Sequence, residues 1–312
     1  MYFSKVMNFK LSIFIFISIA LHACTSKVSI NGSKQVPDSI TIESSNVLYD
    51  FTDAAMFPLE SALEEVSGLA YDDNEKVLLT HNDEKGIIFK INPENGQTLE
   101  TIQFGKKGDY EGIAKMNDQF VIVNSSGHLF FYNPQTDKTR KVKTGLTTKN
   151  DIEGLAFDAP SNRLLLAAKE RTIDYDKHRK VKAIYALDIE TEKLEPKPFL
   201  EITKDVLINQ LNNQLDDITI SDKEKKELRK RIKAFAPSGI EIQPTNGDIY
   251  IVSAKGSLVV IFNSQKEIKN ILFLDKKLFP QAEGITFDAH HLYISTEMKG
   301  KGGRLFKFKL KS

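Results

Sequence analysis

"EGITFDAHHLYIST", residues 283–296, reads as a strand, a tight turn and a second strand. Its opening pair, Glu283-Gly284, is followed by alternating apolar positions, the period of a strand with one buried face. The same opening recurs at Glu111-Gly112 ("EGIAKMND") and Glu153-Gly154 ("EGLAFDAP"), with looser versions at Ser67-Gly68 ("SGLAYDDN") and Ser238-Gly239 ("SGIEIQPT"). The glycines stand at 68, 112, 154, 239 and 284, so the intervals are 44, 42, 85 and 45 residues. The long interval holds an insertion rather than an extra repeat. It contains "SDKEKKELRKRIKAF", in which Ser221 and Glu224 have capping-box spacing and Leu228, Ile232 and Phe235 follow at helical spacing.

Five repeats remain. In the second, "GIAKM", "FVIVN", "HLFFY" and "RKVKT" are short apolar-alternating segments broken at Asn117-Asp118, Ser126-Gly127 and Asn133-Pro134. Four strands recurring every forty-odd residues are the pattern of propeller blades. The last repeat supplies only "GITFD", "LYIST" and "RLFKFKL", whereas "NVLYDF" at 46–51 precedes the first repeat without a blade of its own. The expectation is an all-β, five-bladed β-propeller over 46–312, closed by its N-terminal strand, with a helical insertion near 203–235.

Lys and Arg total 43 against 42 Asp and Glu, a formal net charge of +1, so no nucleic-acid partner is expected. The single cysteine, Cys24, excludes an intrachain disulfide and a Cys-rich metal site. Lys5 and Lys10 precede "LSIFIFISIALHA", a basic flank and an apolar run too short to span a bilayer. It ends in "LHAC", residues 21–24, which resembles the cleavage box of bacterial lipoproteins. Residues 1–23 are therefore expected to be a lipoprotein-type signal peptide, Cys24 the lipidated residue, and the polar stretch 24–45 a flexible tether. The expected location is the bacterial cell envelope, exported and anchored to a membrane by lipid, and the expected state is a monomer. The helical segment 221–235 carries seven Lys or Arg against three acids and reads as a solvated face.

In an antiparallel blade, the start of the innermost strand and the end of the second lie at the same face. The repeated openings and the second-strand ends, "THNDE", "VNSSG", "AAKE", "VSAKG" and "STEM", are thus expected at one mouth of the central channel. Carboxylates crowded into a narrow opening need a cation or a proton. Oxygen donors without cysteine favour a hard ion, Ca²⁺ or Mg²⁺. A Ca²⁺ site is expected with Glu111, Glu153 and Glu283 at its core and Asn82, Asp83, Asn124 and Glu297 around it. The alternative is that each Glu caps loop N–H groups while the glycine permits a tight turn. His81, the one histidine at this mouth, is the candidate general base.

"EVSGLAYDDNEKVLLTHNDEKGIIFKIN", "GDYEGIAKMNDQFVIVNSSGHLFFY", "FAPSGIEIQPTNGDIYIVSAKGSLVVIF" and "QAEGITFDAHHLYISTE" together resemble the SdiA-regulated family over roughly residues 46–310. That resemblance implies a membrane-tethered five-bladed propeller, distantly NHL-like, with a bound calcium ion. It places Glu111, Glu153 and Glu283 where the family's recurring Glu-Gly openings stand, and it implies no particular reaction. Two functions follow as expectations. One is a binding or scaffolding module that takes a small molecule, glycan or protein at the channel mouth. The other is a calcium-dependent esterase- or lactonase-like hydrolase.

Overall fold

Each repeat's apolar alternation folds into one antiparallel sheet, and the sheets stand side by side so that both faces of every middle strand are covered. The computed structural model describes residues 27–29, 48–174, 180–216, 218–298 and 300–311. The expected signal peptide, Cys24 and nearly all of the 24–45 tether lie outside these residues. Strand β1 (Lys27–Ser29) pairs with β2 (Tyr49–Pro58). Blade 1 is β3 (Val66–Asp72), β4 (Val77–Asn82), β5 (Ile87–Ile91) and β6 (Thr98–Gln103). Blade 2 is β7 (Tyr110–Met116), β8 (Gln119–Asn124), β9 (His128–Asn133) and β10 (Lys138–Lys143).

Blade 3 has β11 (Ile152–Asp158), β12 (Arg163–Ala168) and β13 (Val181–Asp188); the short β14 (Lys193–Leu194) and β15 (Leu200–Thr203) both pair with β13. Two helices follow, α1 (Lys204–Leu215) and α2 (Asp222–Lys233). Blade 4 is β16 (Gly239–Ile242), β17 (Ile249–Ser253), β18 (Leu258–Phe262) and β19 (Ile268–Phe273). Blade 5 is β20 (Gln281–Phe287), β21 (His291–Glu297) and β22 (Gly303–Leu310), completed by β2. The N-terminal strand therefore closes the ring and covers what would be an open edge.

Strand sequences follow their depth. The middle strand "LVVIF" of β18 is buried throughout, whereas the outermost "KTRKVK" of β10 buries only Val142. Apolar side chains gather into five clusters, one between each pair of neighbouring blades. The insertion joins the cluster between blades 3 and 4 through Leu207, Leu211 and Leu215 of α1 and Leu228 and Ile232 of α2. The expected capping box is present, with Ser221 and Glu224 bonding each other's backbone N–H. The face of α2 is not wholly solvated. Arg231 is buried, donating to the carbonyls of Gly256 at 2.9 Å and Leu274 at 2.7 Å and to that of Ser257. Among the described residues no helix is long and apolar enough to cross a membrane.

Candidate functional site

The innermost strands β3, β7, β11, β16 and β20 meet around the axis, and the repeated glycines let them. A Cβ on Gly239 would lie 2.4 Å from the Glu283 carbonyl oxygen, and one on Gly284 would lie 2.9 Å from the Leu69 amide nitrogen. Gly68, Gly112 and Gly154 abut the next inner strand in the same way. None of the five has a left-handed backbone, so glycine serves close approach here and not a turn. The ring they form narrows the channel to a void of about 10 Å³, the size of one water.

The acid before the glycine sits at a β-bulge. In β7, Tyr110 pairs with Asn124 and Gly112 with Val123, so Glu111 is an extra residue. Glu153 is extra between Ile152 and Gly154, and Glu283 between Ala282 and Gly284. A bulge re-aims a side chain out of the pleat. Three blades thus turn a carboxylate toward one mouth. Where serine replaces the acid, its hydroxyl ties the strand to the next blade. Ser67 donates to the Glu111 carbonyl at 2.9 Å, and Ser238 to that of Ala282 at 2.6 Å.

The three carboxylates sense one another. Burial lifts Glu111 above the ordinary carboxylate range, and Glu153, Asp109 and Glu283 add to the shift. Burial also lifts Glu283 well above it, reinforced by Glu153 and Glu297. Glu153 is raised by burial and partly drawn back by Lys169, whose Nζ lies 2.6 Å from its Oε1. Lys169 stands at the end of β12, in the "AAKE" stretch already assigned to this mouth, and sequence reasoning gave it no role. Its ammonium neutralises part of a mouth that also holds Asp109, Asp83 and Glu297.

The expected outer residues divide into two kinds. The Asn82 side-chain oxygen accepts from the amides of Glu84 and Lys85, and that of Asn124 from His128 N–H and the Ser126 hydroxyl. Both are committed to their own turns. Asp83 is pushed up to about 6 and Glu297 to about 7 by burial, with neighbouring acids adding to both, and both act on Glu283. Asp83 Oδ1 is buried with no hydrogen-bond partner.

His81 is not at the open mouth. It is 0% exposed, and its Nε2, also without a partner, points under Gly68. Burial lowers it to about 4, so it is neutral at pH 7.

The donors are of the kind Ca²⁺ takes, all-oxygen and carboxylate-rich. With the Asp83 oxygen orphaned and the neighbouring carboxyls raised, ionising these acids is costly without added positive charge. With Lys169 bonded to Glu153, however, no group of three or more His, Cys, Asp or Glu among the described residues surrounds a single point as a metal cage.

Fold and mouth define a class: a five-bladed propeller whose inner-strand bulges turn acids into one end of a nearly closed channel. Residues 46–299 match the SdiA-regulated family, and the chain belongs to it. No curated protein matches the chain.

Among solved structures, glutaminyl cyclase from Myxococcus xanthus is 12% identical, with a TM-score of 0.50 over 82% of this chain and 95% of that one. A gluconolactonase from Xanthomonas campestris is 13% identical, with a TM-score of 0.46 over 88% and 99%. Virginiamycin B lyase from Staphylococcus aureus is 10% identical, with a TM-score of 0.42 over 78% of this chain and 66% of the lyase. These likenesses are of fold alone.

Proposed function

We propose that the acidic mouth binds a divalent cation, Ca²⁺ by the chemistry of its donors, and through it a polar ligand in the cell envelope. In this reading Cys24 carries the lipid anchor, and the polar stretch behind it holds the propeller off the membrane. The supporting observation is that three bulges aim carboxylates at one mouth, where burial and neighbouring acids raise all three and one ammonium is interleaved. A bound dication supplies the missing positive charge and an oxygen-seeking centre. Glu111, Glu153 and Glu283 hold it as carboxylates, and Lys169 competes with it for Glu153.

Thermal melting in chelator and in Ca²⁺ tests this. Ca²⁺ raises the wild-type melting temperature, Glu111→Gln, Glu153→Gln and Glu283→Gln each reduce that rise, and Lys169→Met enlarges it. An unchanged response in all three Gln variants removes the site.

A second reading, a hydrolase of esters or lactones at the same mouth, is supported by Glu297. Its carboxyl, held at about 7, can take or give a proton at neutral pH. It reaches the mouth where the buried His81 does not. Turnover of an ester or lactone panel that Glu297→Gln abolishes is the expected result for this reading. No turnover of any member, with or without Ca²⁺, leaves the binding module.

A further inference from the structure

On the far side of the glycine ring, at the other end of the channel, lies a cavity of about 1020 Å³. Two positions beyond the ring glycines stand Ala70, Ala114, Ala156, Glu241 and Thr286. Four small side chains leave room at the axis, and Glu241 is the one ionisable group in that row. Its Oε1 accepts from the Ile242 N–H at 2.9 Å and its Oε2 from the Thr286 hydroxyl at 3.3 Å. Lys115, which also lines the cavity, is turned instead to Asp72 at 3.8 Å and to the Asn117 carbonyl. Burial pushes the Glu241 carboxyl up to about 8, with no charged group drawing it back.

One position further along, Tyr71, Phe157 and Ile242 form a half-buried belt around the cavity. Asp73 and Asp118 stand at its rim, with Lys76 beside them. The volume is that of a small-molecule pocket. Its chemistry is a buried carboxyl, which an incoming ammonium would favour in its ionised form, on a floor of methyl groups beside the rings of Tyr71 and Phe157. An anion meets Asp73 and Asp118 against the single Lys76, since Lys115 is held by Asp72, and finds no cationic partner on the floor. A sugar needs polar partners on several sides, and the floor offers only Glu241 and Thr286.

We propose that this cavity is a second ligand site, specific for a small organic cation. The ammonium binds Glu241, and an apolar body packs against Tyr71, Phe157 and Ile242. The site does not depend on the acidic mouth, because the glycine ring separates the two ends of the channel.

Calorimetric titration of the full chain with benzylamine, benzyl alcohol and benzoate tests the proposal. Benzylamine is expected to bind about ten-fold or more tightly than either of the other probes, and equally with and without chelator. Glu241→Gln, which keeps the side-chain volume, abolishes that preference. Phe157→Ala weakens benzylamine several-fold, and Ala114→Leu, which fills part of the floor, does the same. Melting curves of all three variants establish that they fold. The proposal is overturned if benzylamine fails to bind wild type at millimolar concentrations, if the three probes bind alike, or if folded Glu241→Gln keeps the preference. Loss of the Ca²⁺ response at the opposite mouth leaves this outcome unaffected.

Discussion

Glu283 and Gly239 show how tightly residue choice is bound up with the channel. The Glu283 carbonyl oxygen occupies the space that a Gly239 side chain would fill, at 2.4 Å from an added Cβ. Gly239→Ala must therefore push the bulge of β20 outward. Overpacking of this kind costs about 1–3 kcal/mol. Urea unfolding is expected to show a loss of that size, and the displaced Glu283 should weaken the Ca²⁺ response as well. Wild-type stability in Gly239→Ala would mean that the ring is looser than its contacts indicate. The recurring Glu-Gly pair was legible as a repeat and as an acidic mouth, because identity and spacing are enough for both. That the pair is a bulge followed by a close approach was not legible, since a turn needs the same two residue types. Lys169 was in plain view in "AAKE", but its pairing with Glu153 on the neighbouring strand of the same blade leaves no mark in spacing.

At the scale of the element, the insertion is more than an ornament on blade 3. Leu207, Leu211 and Leu215 recur every four residues, and the Thr203 hydroxyl accepts from the Val206 N–H, so α1 carried its own helical signal beside that of α2. The capping box at Ser221 announced α2 alone, and the Asn and Gln between the leucines of α1 obscured the earlier helix. The basic composition of α2 suggested a solvated face, yet its Arg231 reaches inward. The guanidinium joins three carbonyls around the β17–β18 turn and the end of β19, and it lies 5.0 Å from the Phe273 ring centroid. Arg231→Met keeps the apolar stem and strands those carbonyls. The cost of losing charge-assisted, buried hydrogen bonds is about 2–3 kcal/mol. Chemical denaturation should register it, whereas an exposed neighbour such as Lys230 replaced by Met should change stability little. Equal effects at the two positions would show that the clasp contributes nothing.

For the molecule as a whole, the five-fold count and the closing strand were legible because a propeller repeats itself and cannot leave an edge open. β2 pairs with β22 from Tyr49↔Leu310 to Pro58↔Arg304, as the unmatched segment before the first repeat implied. The two ends of the channel were not equally legible. The acidic mouth repeats a motif, while the opposite cavity is written in what is missing, three alanines and a threonine in a row that a filled channel would give to larger residues.

Charge at the acidic mouth is a property of the whole ring, and it links stability to pH. Carboxyls raised by folding stabilise the native state while protonated, and that contribution is lost as pH climbs through their folded values. Glu297 and Glu153, each at about 7, complete that loss near neutral pH, while Glu111 and Glu283, raised further, carry it on into the mildly alkaline range. His81, lowered to about 4, acts in the opposite sense only below its ordinary value and does not intrude there. Glu241, at about 8, adds a decline of its own that an ion at the other mouth leaves in place. The most direct measurement is the melting temperature between about pH 6.5 and 8.5, in chelator and in Ca²⁺. The account predicts a fall with rising pH in chelator and a clearly shallower fall in Ca²⁺. A flat profile in chelator, or the same slope in both, would contradict it.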